Sequence, residues 1–374
     1  MAGQEQPVTA TPILERLQPP PPAQSRNLVG LIIGGIIGAT VALLLPRMLD
    51  EATSRPVLLI TMIAAYYLVV LVHECGHLCA TSAAGFQFRE IAVGPFLLAR
   101  RASGLRLRFL PGRVLAGGHV IGAPGSSDDL RRRFRMMVAG GPAATVLLFA
   151  VLAFSPLTAM TWSLWLWNAI VAASSWIPFY VSGTATDAKA LLLLSSAGRE
   201  GDWLAAILYI MAVDGQGVAP REWPTDVVAK LASDGASPPA ATARYLTMVH
   251  ALDTGGPERI AAALEDVLAA SHKLRADLRR VCFSEAAFYQ GAYGRNAELA
   301  RGWLEDARKV KGTTSEKGWE EGLLAAIAFA EGNEGEAGEH ASAAIAYLDR
   351  WPAESGSVAA GKRRLARLIS SPLA

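Results

Sequence analysis

Hydrophobic positions are spread unevenly along this chain: long uncharged runs fill the first half, and charge returns after about residue 200. Leu28–Leu45 is a run of 18 apolar or small residues with no charge. At about 1.5 Å per residue, a helix of that length crosses the roughly 30 Å hydrocarbon core of a bilayer. Val57–Ala84 is a second run, interrupted by His73, Glu74 and His77, and Met136–Pro156 is a third. Ser163–Val181 is the fourth, with Trp162, Trp165, Trp167 and Trp176 suited to the membrane interface. Trp203–Val213 is apolar for only 11 residues, too short to span, and reads as a docking or interfacial helix. Before residue 28 the chain is polar and proline-rich, with Pro19 to Pro22 in a row. It shows no signal-peptide pattern and is expected to be a disordered tail.

Charge orients these spans. Residues 84–135 carry ten arginines against three acids, whereas the 157–162 loop carries no charge. The excess of arginine places 84–135 in the cytoplasm, and four crossings then put both termini on that side. The expected location is therefore the cell membrane, multi-pass. A net charge of +2 gives no reason to expect a nucleic-acid partner. Cys75, Cys79 and Cys282 are an odd number, two of them in an apolar run, so no disulfide framework is implied. The first span also carries Gly30, Gly34 and Gly38 at the spacing of close helix packing.

The second run holds the chemistry. His73-Glu74-Cys75-Gly76-His77 sets two imidazoles one helical turn apart on one face, as a tetrahedral zinc site requires. Glu74 lies beside that face, placed to take a proton from the attacking water, while zinc polarises the scissile carbonyl. The same pattern on a soluble helix is often only a solvated face. Within a span each charged group costs on the order of 2.5–3.5 kcal/mol, so the cluster reads as functional. A catalytic zinc needs a third protein ligand and an open position. Asp187, at the end of the fourth span, is the leading candidate and His119 is its rival.

An apolar run ending in His73-Glu74-Cys75-Gly76-His77, with a proline and then an aspartate over a hundred residues later, resembles the site-2 protease family of intramembrane zinc metalloproteases. Ala139-Gly140-Gly141-Pro142-Ala143-Ala144 is similar to that family's small-residue segment. The resemblance covers roughly residues 55–195. It implies one catalytic zinc held by His73, His77 and Asp187, Glu74 as the base, and a membrane-protein substrate. Ser175-Trp176-Ile177-Pro178 stands where the family commonly has Asn-x-x-Pro, and Asp187-Ala188 where it has Asp-Gly. Both departures bear on substrate positioning, a role the resemblance carries to Ser175 and Pro178.

Leu105-Arg106-Leu107-Arg108-Phe109 alternates apolar and basic residues between turn signals at Gly104 and Pro111-Gly112, and predicts a strand of a small hairpin. Such a hairpin would lie on the membrane surface. In the resembled family a hairpin in this region lines the active site and pairs with substrate, which makes Leu105 and Leu107 positioning candidates.

Past residue 240 the chain reads as helical hairpins. Gly256, Gly294 and Gly332 recur 38 residues apart, a period close to that of tetratricopeptide repeats. The expected fold is mainly α: a polytopic membrane core of about four spans with a small β-hairpin, and a cytoplasmic helical repeat domain. The expected divisions are a tail (1–27), a membrane metalloprotease-like domain (28–200), a linker with an interfacial helix (201–239) and a helical domain (240–374). The leading function is zinc-dependent endopeptidase action on a membrane protein near the cytoplasmic face. The alternative is a non-proteolytic scaffold whose helical repeats bind a cytoplasmic protein.

Overall fold

The structure, a computed structural model, describes residues 13–15, 55–101, 104–111, 117–156, 158–181, 183–311, 317–350 and 355–370. The chain divides into two compact units, Gln24–Ala212 and Val213–Ala374, the latter joined by Met1–Ala23. The expected span Leu28–Leu45, with its three glycines, lies outside the described residues, as does most of the expected tail.

In the first unit, helix α1 (Arg55–Ala83) leads into a four-stranded antiparallel sheet of β1 (Phe86–Val93), β2 (Phe96–Arg101), β3 (Gly104–Phe109) and β4 (Gly118–Pro124). The strand order is β3-β2-β1-β4. The sheet is larger than the hairpin expected from alternation. Only β3, exposed along its whole length, alternates cleanly, whereas β1 and β4 are partly covered and carry no period-2 signature. Helices α2 (Leu130–Ala153) and α3 (Ala159–Trp176) follow. Tyr66 of α1 meets Trp167 of α3 edge-on at 4.9 Å, and Phe149 of α2 lies 5.1 Å from Trp165. Among the described residues two helices are long and apolar enough to cross a membrane, Pro56–Ala83 and Leu130–Ala153. The expected fourth span is shorter than the hydropathy run. Helix α3 ends at Trp176 because Pro178 disfavours helical geometry in the residue before it. A short hairpin of β5 (Tyr180–Val181) and β6 (Thr184–Ala185) then leads to α4 (Asp187–Ser195).

Helix α5 (Arg199–Asp214) corrects the interfacial reading of Trp203–Val213. Trp203, Ala206, Ile207, Tyr209 and Ile210 are all buried, so it is a core helix. An 11-residue apolar run looks the same in either setting.

The second unit is all helical. After α6 (Thr225–Lys230) come the helix pairs α7 (Pro238–Thr254) with α8 (Pro257–Ala270), α9 (Ala276–Ala292) with α10 (Ala297–Arg308), and α11 (Lys317–Ala330) with α12 (Glu334–Asp349). Helix α13 (Gly356–Ser370) closes the series against α12. Gly256 and Gly294 fall in the turns within the first two pairs. Gly332 turns the third with φ of 81°, a conformation that side-chain-bearing residues avoid. Leu264, Leu268, Met248 and Trp303 are buried in the core. A buried ion pair joins α9 to α13: both Arg364 Nη atoms donate to Glu285, at 2.7 and 2.8 Å.

Candidate metal centre

The site is built on α1, whose apolar residues hold it helical through the polar insertion. His73 and His77 lie one turn apart, and their Nε2 atoms converge to 3.2 Å. Both residues are buried, as is Glu74 at 4% exposure. The Thr81 hydroxyl donates to the His77 carbonyl at 2.7 Å, continuing the polar face one turn further.

Helix α2 packs against this face at very short range, and glycine makes that possible. A Cβ on Gly76 would lie 2.3 Å from the Gly140 carbonyl oxygen, and one on Gly140 would lie 2.2 Å from that of Gly76. Gly76 is an unspecified position of the motif, so its need for a bare backbone is not visible in the pattern. A Cβ on Gly141 would meet His77 Nε2 at 2.3 Å and His73 Nε2 at 2.6 Å, so this glycine leaves room for the two ligand nitrogens. Pro142, inside α2, lacks an N–H and removes one rung of the helical ladder in the turn facing His77. The Gly141 amide lies 3.2 Å from His77 Nδ1, and 2.9 Å from the same atom is the Met137 carbonyl. An N–H donated to it leaves the Nε2 lone pair free for a metal.

Asp187 arrives from the far end of α3. The Thr186 hydroxyl donates to the Ile177 carbonyl at 2.8 Å, and the Thr186 amide donates to the Phe179 carbonyl at 3.0 Å. These bonds close the 177–186 hairpin. Thr186 then caps α4, whose first residue is Asp187, and α4 packs along α2. Asp187 Oδ2 thereby comes within 3.1 Å of His73 Nε2 and 3.5 Å of His77 Nε2. The Asp187 oxygen and the two imidazole nitrogens therefore face one another across a single point.

The three ligand atoms lie within 4.8 Å of one another. For bonds of about 2.0–2.1 Å, adjacent ligands of a tetrahedral zinc stand roughly 3.3 Å apart. The observed separations of 3.1, 3.2 and 3.5 Å fit that figure. Two nitrogens and one carboxylate oxygen also leave a fourth position open. Among the described residues, His73 Nδ1 and Glu74 Oε2 are buried without a hydrogen-bond partner, a costly state in an apolar interior. The Glu74 carboxylate lies against β4, where a Cβ on Gly118 would come 2.6 Å from Oε1.

The other residues named from sequence stand elsewhere. His119 is on β4 and pairs with Glu90 at 2.9 Å, outside the three-ligand group. The buried Ser175 hydroxyl donates to Ala172 within its own helix at 3.3 Å, and Pro178 is exposed at the end of α3. Leu105 and Leu107 are exposed on β3, with β2 and β1 between them and β4. Alternation identifies a strand but not its rank in the sheet, and the strand against Glu74 is β4. Leu107 nonetheless lines an apolar cavity of about 460 Å³ with Tyr67, Leu68 and Leu71 of α1.

Two histidines and an aspartate around one point, with a buried glutamate beside them on a membrane-length helix, form a group that could hold a metal ion. The family model for Peptidase family M50 matches residues 61–329, well over half of the chain, and the chain belongs to that family. This is the site-2 protease family, whose members are membrane zinc metalloproteases. The match extends past the 55–195 stretch that carries the sequence resemblance and into the helical unit. No curated protein and no solved structure matches the chain.

Proposed function

We propose that this protein is a zinc-dependent intramembrane endopeptidase that cleaves a membrane-protein substrate near the cytoplasmic face. The convergence of His73, His77 and Asp187 beside the buried Glu74 carries this reading. The two imidazoles and the Asp187 carboxylate would hold the ion. When bound, zinc supplies Lewis-acid polarisation of the scissile carbonyl and makes water acidic enough to attack near neutral pH. Glu74 accepts the proton of the attacking water and returns it to the departing amide nitrogen. The Met137 carbonyl holds the His77 ring in orientation, and Gly141 keeps the approach to both imidazoles open.

A protease needs an extended substrate backbone, and an unpaired strand edge binds one. Order in the sheet favours β4 as the strand nearest the chemistry. Leu107 and the apolar cavity beside α1 are suited to a hydrophobic side chain of the unwound segment, with Leu105 further along the same face. Ser175 and Pro178 act at one remove, by ending α3 where the hairpin to Asp187 begins. The cytoplasmic side is supported by the arginine excess of 84–135.

The test compares the purified wild type with Asp187→Ala for zinc content. It also compares cells expressing wild type or Glu74→Gln for new fragment termini among membrane proteins. Asp187→Ala should lose zinc, whereas Glu74→Gln should keep zinc and lose the fragments. Unchanged zinc in Asp187→Ala removes the third-ligand assignment. Unchanged fragments in Glu74→Gln would leave the scaffold reading in place.

A further inference from the structure

Ile13–Glu15, one turn of 3-10 helix, lies on the helical unit as a bound peptide would. The Glu265 carboxylate accepts the Ile13 amide at 2.9 Å and the Leu14 amide at 2.7 Å. The Leu14 carbonyl accepts from Gln290 Nε2 at 2.9 Å and from Trp303 Nε1 at 3.2 Å. The Leu14 side chain is 3% exposed. Three successive helices supply these groups: Glu265 is on α8, Gln290 on α9 and Trp303 on α10. Trp303 is 1% exposed and Gln290 6%, so both donors are buried and aimed at a single carbonyl. A buried donor left unpaired is costly, which makes the groove a built receptor for a backbone carbonyl.

We propose that this groove is a linear-peptide site whose occupant is the chain's own Ile13-Leu14-Glu15, tying the N-terminal tail to the C-terminal helical unit. The groove reads two consecutive amides, one carbonyl and one leucine side chain. A cavity of about 560 Å³ continues from Leu14 and Glu15 past Ala261, Tyr289, Asn296 and Leu299, giving room for further peptide. So few contacts hold a free peptide weakly, whereas attachment to the same chain raises its effective concentration at the groove. Charge agrees with this occupant, because Glu265 pairs with backbone amides and needs no basic side chain from the peptide. The contact has a topological consequence. A tail that precedes the spans can reach a domain that follows them only if the chain crosses the bilayer an even number of times between them. The four spans read from the sequence satisfy that condition.

Hydrogen–deuterium exchange on the full-length protein in detergent tests the proposal. The amides of Ile13 and Leu14 should exchange at least about tenfold more slowly than in Leu14→Asp, a change confined to the tail. Glu265→Ala should release the same two amides while the exchange of α9 and α11 stays as in wild type. Wild-type amides exchanging as fast as those of Leu14→Asp would overturn the proposal. A photo-crosslinker at position 15, in a mixture of two differently tagged forms, identifies the occupant. Adducts to residues 261–299 within one chain are expected, and adducts only between chains would overturn the assignment in cis.

Discussion

Two buried polar clusters, one in each unit, differ in a way that separates structure from chemistry. In the helical unit, Arg364 donates both Nη atoms to both oxygens of Glu285, a bidentate pair with its geometry complete. In the membrane unit, His73 Nε2, His77 Nε2 and Asp187 Oδ2 face one another, and each is a natural acceptor for a cation. Among the described residues, His73 Nδ1 and Glu74 Oε2 beside them have no hydrogen-bond partner. Burial is similar in both places. A donor matched to acceptors makes a joint between helices, whereas acceptors converging on one point make a metal site. Polar atoms left unpaired near such a point are available to a substrate or a proton.

The comparison predicts that changes in the first cluster alter stability and changes in the second alter chemistry. The largest effect is expected from Glu74→Gln, which should lower peptide cleavage by about 10²–10⁴-fold, the usual contribution of a general base. Thermal unfolding should not fall, because glutamine keeps the shape of the glutamate side chain. A large loss of stability in that variant would erase the distinction. Glu285→Ala leaves Arg364 buried and unpaired and should cost the helical unit about 3–5 kcal/mol in denaturant unfolding. Replacing Glu285 and Arg364 together by methionine should recover most of that loss. Zinc content should stay at the wild-type level in both.

Gly76→Ala probes the boundary between the two behaviours. Its Cβ would force α1 and α2 apart, at about 1–3 kcal/mol for an overpacked contact. Because α2 also carries Met137 and Gly141, zinc affinity should fall along with stability, which a zinc titration beside a melting curve would show. The smallest effect concerns acid. Burial raises the Asp253 carboxyl, but hydrogen bonds from Arg363 and the Arg221 amide outweigh it and hold it below its ordinary value. A carboxyl held low stabilises the fold above its unfolded pKa, and that share is lost as pH falls through the folded value. Wild type should therefore lose more stability than Asp253→Asn as pH drops below about 4, measured by thermal unfolding.

Much of the site was legible because its signals are local. The spacing of His73 and His77 follows from helical geometry, and the apolar run around them supplied the membrane context. Asp187 led the candidates for third ligand by its position, but with His119 as a rival, since an acid after a span is usually only solvated. The small residues at 139–144 are visible in the sequence, but their purpose is not. Gly140 and Gly141 matter because of atoms on another helix, and Gly76 sat unremarked inside the motif itself. The strand Leu105–Phe109 was found by alternation, yet its place at the edge away from β4 depends on pairings that alternation does not encode. Ile13-Leu14-Glu15 gave no signal: three residues in a proline-rich stretch have no period, and their partners lie some 250 to 290 positions away.

By itself the sequence determined the shared face of His73 and His77, the hydrophobic runs suited to a membrane, the charge bias of the loop and the helical character of the second half. Each of these depends on residues a few positions apart, where backbone geometry converts spacing directly into position. Only the tertiary structure decided that Asp187 rather than His119 meets the two histidines, and that β4 rather than β3 lies against Glu74. It also decided that Ile13–Glu15 meets Glu265, Gln290 and Trp303 of the helical unit. These outcomes depend on which surfaces approach closely enough to pack, and that is set by a bare backbone at Gly76 and Gly140, a hairpin closed by Thr186, and two buried donors at Gln290 and Trp303.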